Sequence, residues 1–182
     1  MLGADNTVER GSTYGQYYQF QRDSCYYFEI CETVDYARGG IFVKPKKTGI
    51  TQLFSLVCLN RAMTRKEKNI RVMSITEDLA RKSIMKFARH AAEKVPNILM
   101  PSRSKQNESE ILFGPPDASR NQLKKKKTAT PPDYLHTWFT TVPTRRDAFD
   151  SFTNYIALTD EFPKIENETW PEDLLEATLP TV

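Results

Sequence analysis

Apolar positions recur at two periods along the chain, and each change of period marks an element. Phe20, Tyr27 and Cys31 fall at near-helical spacing, as do Tyr26 and Ile30, which predicts a helix over 15–37. Gly39-Gly40 ends it and releases the chain into an apolar run, Ile41–Val43, read as a strand. A polar loop follows, and Leu53, Leu56, Val57 and Leu59 then stripe a helix from about Gly49 to Met63. Residues 65–69 form a surface connection. Ile70–Ile75 alternates as a second strand. Thr76 is placed to cap a helix in which Leu79, Ile84, Phe87, Ala88 and Ala91 recur up to about Lys94.

The second half is less regular. Pro96 and Pro101 bracket a loop, and Glu110–Phe113 is a short strand stopped by Gly114-Pro115-Pro116. Residues 117–133 are poor in apolar positions and hold the run Lys124–Lys127, read as a solvated loop; its functional alternative is a phosphate-backbone contact to nucleic acid. Leu135–Val142 is a strand containing Trp138 and Phe139. Arg145-Arg146 opens a turn or short helix with Phe149 and Phe152, and Tyr155–Leu158 is a last strand running into Thr159-Asp160-Glu161. Strands alternating with helices of these lengths predict an α/β fold of βαβ units around a mostly parallel sheet. The dense aromatics between Tyr14 and Tyr36 are read as core packing.

Composition narrows this only slightly. A chain of 182 residues with 39% hydrophobic and 27% charged residues is long enough for one domain with a sizeable core. Its formal net charge of +3 is too small to dominate association, so the local clusters at 44–47 and 124–127 matter more. Cys25, Cys31 and Cys58 are an odd set without metal-ligand spacing and read as reduced thiols, buried or half-buried. His90 and His136 have no Cys or His at ligand spacing. No window approaches the roughly 18 apolar residues of a membrane span, and the N-terminus has no signal-peptide apolar core.

The chemistry is expected at two places. Ile41–Val43, the loop Lys44-Pro45-Lys46-Lys47-Thr48-Gly49-Ile50-Thr51 and the following helix have the order strand, phosphate-cradling loop, helix. In such loops backbone N–H groups at a helix N-terminus bind phosphate oxygens, a Lys neutralises charge and a Ser/Thr hydroxyl holds Mg²⁺. Gly49 and Thr51 fill the glycine and hydroxyl positions, but Ile50 stands where the usual pattern has Lys. The charge must then come from Lys44, Lys46 or Lys47. The second place is the strand ending in Asp160-Glu161, where Asp160 would hold Mg²⁺ and Glu161 would polarise the attacking water. Both places should share the C-terminal edge of the sheet, where open α/β folds bind ligands.

With both motifs placed, the chain resembles the ATPase domain of the terminase large subunit, the DNA-packaging motor of tailed phages and herpes-like viruses. In the deviant Walker A loop of that family a Lys lies five positions before the Gly and a different residue follows the Gly; Lys44, Gly49 and Ile50 match. Lys46 stands where the family usually has Arg. Leu158-Thr159-Asp160-Glu161-Phe162 is similar to its Walker B strand and catalytic Glu, and the tail from Pro171 to Val182 resembles the segment leading to its next strand.

The resemblance implies a three-layer P-loop NTPase fold over 41–182, incomplete at the C-terminus, after a helical lead-in over 1–40. The family's coupling motif and nuclease domain would follow Val182. It implies ATP and Mg²⁺ as cofactors. Residues 44–51 would bind the nucleotide, Thr51 and Asp160 the metal, and Lys44 and Glu161 would be catalytic. It implies double-stranded viral DNA, a portal and a small terminase subunit as partners. A homo-oligomeric ring would work inside the host cell, in cytoplasm or nucleus, with no membrane association, and Arg145 or Arg146 could reach a neighbouring subunit's site. Two other readings remain at this level. One is a helicase-like P-loop ATPase. The other is a non-enzymatic nucleic-acid-binding module that uses the lysine clusters and aromatics.

Overall fold

A computed structural model describes residues 17–34, 39–44, 47–114, 135–145, 148–149 and 153–161. The chain divides into two units, Met1–Phe42 and Val43–Val182. Each is described by itself.

In the first unit, helix α1 spans Gln19–Thr33. The Tyr18 N–H donates to Gln21 Oε1 at 3.0 Å, and Gln19 Nε2 donates to Asp23 Oδ1 at 2.8 Å one turn on, which together hold the first turns. Ser24 is the one buried residue of α1. Tyr17, Phe20, Tyr26 and Tyr27 are all more than 40% exposed, so the expectation that these aromatics pack in a core is corrected. Tyr14 and Tyr36 lie outside the described residues. Tyr27 meets Phe42 edge-on, with centroids 5.4 Å apart, and a Cβ at Gly40 would come within 2.4 Å of its ring. A side chain at position 40 would therefore have to displace the Tyr27 ring.

In the second unit, helix α2 spans Ile50–Thr64 and strand β1 Asn69–Met73. Helix α3, Glu77–Ala80, passes through a π-helical turn, Arg81–Met85, into α4, Lys86–Lys94. Four strands follow: β2 Arg103–Gln106, β3 Glu110–Phe113, β4 Thr137–Thr141 and β5 Ile156–Thr159. They form one sheet in the order β2-β3-β4-β1-β5. β1 lies between β4 and β5 and is parallel to both, with Ile70 opposite Phe139 and Ile156, and Val72 opposite Thr141 and Leu158. β3 runs antiparallel to β4, and β2 antiparallel to β3.

The fold is thus α/β, but the sheet is mixed rather than mostly parallel: a hairpin extends a three-stranded parallel core. Sequence periodicity misses β2 because Arg103-Ser104-Lys105-Gln106 has no apolar residue. The hairpin is set by its turn, where Asn107 Oδ1 accepts from the Ser109 and Glu110 N–H groups at 2.9 and 2.8 Å. The strand expected at Ile41–Val43 is also corrected. Residues 39–44 have no regular secondary structure, and Val43 is 97% exposed. Three apolar residues do not make a strand unless a ladder partner satisfies their backbone.

Alternation sorts β1 into two faces. Ile70 and Val72, with Phe139, Ile111 and Phe113 in register, are fully buried on one face. α2 and α4 pack against each other, and α2 against β4, so these helices cover that face. On the other face Met73 meets Val142 and Phe149, joined by Ala148 and Ala157. Phe149, expected in a turn or short helix after Arg145, is buried here; Phe152 and Arg146 lie outside the described residues. Arg71 closes this side by donating from Nη1 to the Ala148 carbonyl at 2.8 Å, and burial pulls its pKa below the usual value.

The π turn explains another departure. Ala80, Ile84, Ala88 and Ala92 are buried at four-residue intervals, with Met85 beside them. In a pure α-helix of about 3.6 residues per turn that row would drift around the axis, and the wider turn corrects the drift. Leu79 and Phe87, expected on the buried stripe, are each 38% exposed. Ser55 of α2, fully buried, donates to the Ile84 carbonyl at 2.6 Å inside this turn.

Candidate active site

The site lies where α2 begins and β5 ends. α2 starts from Gly49, which caps it with φ 74°, in the left-handed region where glycine alone is unstrained. Lys47, two residues earlier, also has positive φ at 62°. This pair of left-handed residues bends the loop before the helix. Ile50 opens the first turn and is 5% exposed, so its side chain belongs to the core. A Lys at position 50 would have to bury its ammonium there. Only the Ile50 backbone is available to a ligand.

Lys44 brings a positive charge to this point. Its Nζ donates to Asp160 Oδ1 at 2.9 Å and makes a short hydrogen bond to Thr51 Oγ1. Thr51 Oγ1 in turn lies 3.1 Å from Asp160 Oδ2 and 3.3 Å from Oδ1. The Lys44 and Asp160 side chains are 28% and 14% exposed, so the pair is partly shielded from solvent. Asp160 is fixed by the sheet: its N–H continues the β1–β5 ladder to the Met73 carbonyl at 2.9 Å. Glu161 follows with φ 57°, a conformation that non-glycine residues rarely adopt and that turns the chain out of the strand direction.

Three expected site residues therefore meet: Lys44, Thr51 and Asp160. Thr48, Gly49 and Ile50 sit beside them in the chain at the helix start. Lys47 is exposed in the loop, and Pro45 and Lys46 lie outside the described residues. The run Lys124–Lys127 and the tail from Pro171 to Val182 also lie outside them. Arg145 is described, its N–H donating to the Pro143 carbonyl at 3.0 Å. Cys58 is buried and Cys25 and Cys31 half-buried, all three as free thiols.

The donor set fits a hard divalent cation. A threonine hydroxyl and an aspartate converge on one point, and both are the oxygen ligands that Mg²⁺ accepts beside phosphate and water. The Lys44 ammonium bridges the same two oxygens, so a positive charge already balances Asp160 there. Among the described residues no group of three or more His, Cys, Asp or Glu could hold a metal. Thr51 and Asp160 leave most positions around such a cation to other ligands, such as phosphate oxygens and water. Sequence reading passed over Ser74, which follows β1 as Asp160 follows β5, so that the β1–β5 register carried one residue further sets the two side by side.

Among the described residues no helix is long and apolar enough to cross a membrane. No protein-family model matches the chain, and no curated protein matches it.

Proposed function

We propose that this chain is the ATPase of a terminase-like DNA-packaging motor with a P-loop NTPase core, hydrolysing ATP with Mg²⁺ to move double-stranded DNA into a capsid. The observation that carries the reading is the meeting of Lys44, Thr51 and Asp160 from segments more than 100 positions apart. A lysine displaced upstream of the glycine reaches the hydroxyl and the carboxylate that a metal–triphosphate site needs. A solvated basic turn gives no reason for that convergence.

Each residue then has a defined task. The N–H groups at the start of α2 point out of the helix without intrahelical acceptors and bind phosphate oxygens, assisted by the helix dipole. Lys44 exchanges its contact with Asp160 for the phosphates and neutralises charge developing on them. Thr51 and Asp160 hold Mg²⁺, which when bound offsets the negative charge of the phosphates. Glu161 takes the proton of the attacking water as general base. DNA, the portal, the small subunit and the ring belong to the reading through the terminase resemblance of the two motifs.

ATP turnover by the full chain, compared with Glu161→Gln and Lys44→Ala, tests the assignment. Both variants should lose hydrolysis. Undiminished turnover in either removes that residue from the mechanism.

A further inference from the structure

Ser74 follows the last residue of β1. It is fully buried, and its hydroxyl has no hydrogen-bond partner. Its carbonyl is satisfied, accepting from Thr144 Oγ1 at 2.8 Å. Buried hydroxyls are nearly always bonded, so an orphan at a strand end marks a place where a water or a ligand group can be held.

The sheet register says where that hydroxyl stands. Val72 pairs with Leu158 and Met73 with Thr159. Carried one residue past the strand ends, this register sets Ser74 beside Asp160, and the bond from the Asp160 N–H to the Met73 carbonyl holds the two strands together up to that point. Ser74 is two residues beyond Val72, and Asp160 two beyond Leu158, so both continue the row on the helix-covered face. Asp160 takes this direction, since it bonds Thr51 and Lys44 at the start of α2. Side chains in one row of adjacent strands stand about 5 Å apart, the span of one intervening water.

We propose that Ser74 is a positioning residue of the metal–nucleotide site, its hydroxyl holding a water of the cation bound by Thr51 and Asp160. This rests on the ATPase reading. Direct contact with the metal is not required, because Mg²⁺ keeps several waters and those waters need acceptors and donors around them. Ser74 would supply one such group from the end of β1, while the start of α2 supplies Thr51.

The test uses the full chain and titration calorimetry with ATP, once in excess MgCl₂ and once in EDTA, together with melting curves without nucleotide. Ser74→Ala should bind ATP about 3- to 10-fold more weakly in Mg²⁺, the effect of one hydrogen bond, and equally in EDTA. Its melting temperature without nucleotide should be unchanged or higher, because an unpaired buried hydroxyl is removed. Ser74→Cys, close in shape but a poor hydrogen-bonding group, should show the same Mg²⁺-specific loss. Equal affinity in Mg²⁺, an equal loss in EDTA, or a clearly lower melting temperature in Ser74→Ala overturns the proposal. If the unmodified chain does not bind ATP in Mg²⁺, the ATPase reading itself fails and takes this role with it. If the unmodified chain binds and Ser74→Ala matches it, only the role of Ser74 fails.

Discussion

Thr51 and Asp160 are separated by 109 positions, yet the Thr51 hydroxyl lies 3.1 Å from the Asp160 carboxylate. One stands in the first turn of α2 and the other just past β5. Neither element fixes this alone. The β1–β5 ladder places Asp160, and the left-handed turn through Gly49 brings the first turn of α2 up to it.

Lys44→Ala deletes the ammonium that bridges these two oxygens. The pair is only partly buried, so stability should fall by about 1 kcal/mol or less in urea denaturation. Affinity for ATP should fall at least about tenfold, because phosphate loses a charge-assisted donor. A large loss of stability with unchanged ATP affinity would make Lys44 a structural residue.

Glu161→Gln keeps the shape of the side chain but removes the base. ATP binding should be retained while hydrolysis drops by about 100-fold or more, since general-base catalysis contributes on that scale. Single-turnover hydrolysis measured beside equilibrium binding separates the two effects. Weakened binding with an unchanged hydrolysis step would place Glu161 outside the chemistry.

Gly49→Ala puts a Cβ on a residue with φ 74°. The left-handed conformation costs an L-residue roughly 1–2 kcal/mol, and the urea midpoint should move accordingly. Gly49→Asn should lose less, because Asn tolerates this region better. An Ala variant as stable as the original would mean that the loop does not need this turn.

Ser55→Ala removes the hydroxyl that reaches the Ile84 carbonyl at 2.6 Å. The carbonyl lies within the π turn, and losing a buried partner costs about 1–3 kcal/mol. Slower amide exchange at the π turn than in the parent would contradict this, since the turn should loosen when its tie to α2 is cut.

The residues carrying the candidate chemistry were legible because their types and order are constrained. Lys44, Gly49, Thr51 and Asp160 could be singled out without coordinates. Ile50 looked anomalous in sequence and is explained by burial, a property that spacing does not carry. The fold was legible where apolar pattern and burial agree, as in β1 and β3; α2 was found as a helix, but of its expected stripe Leu53 and Leu59 are buried while Leu56 and Val57 are half-buried. β2 was hidden because an exposed hairpin strand needs only backbone pairing, and its four residues are polar. Ile41–Val43 misled in the opposite way: its composition suits a strand, but strand formation depends on a neighbour that composition does not specify. The π turn was invisible because Leu79 and Phe87 invite an ordinary helical stripe, whereas the buried row runs through Ala80, Ile84, Ala88 and Ala92. Ser74 carries no motif at all. Its place beside Asp160 is a consequence of register.

The central claim is that Lys44, Thr51 and Asp160 together form a site for a metal-bound triphosphate. Calorimetric titration of ATP in MgCl₂ into the full chain and into Asp160→Asn tests it most directly. The full chain should bind one ATP, with affinity that falls at least about tenfold when Mg²⁺ is replaced by EDTA, and Asp160→Asn should lose that Mg²⁺ dependence. No binding heat at millimolar ATP, or an identical Mg²⁺ dependence in the two proteins, would contradict it.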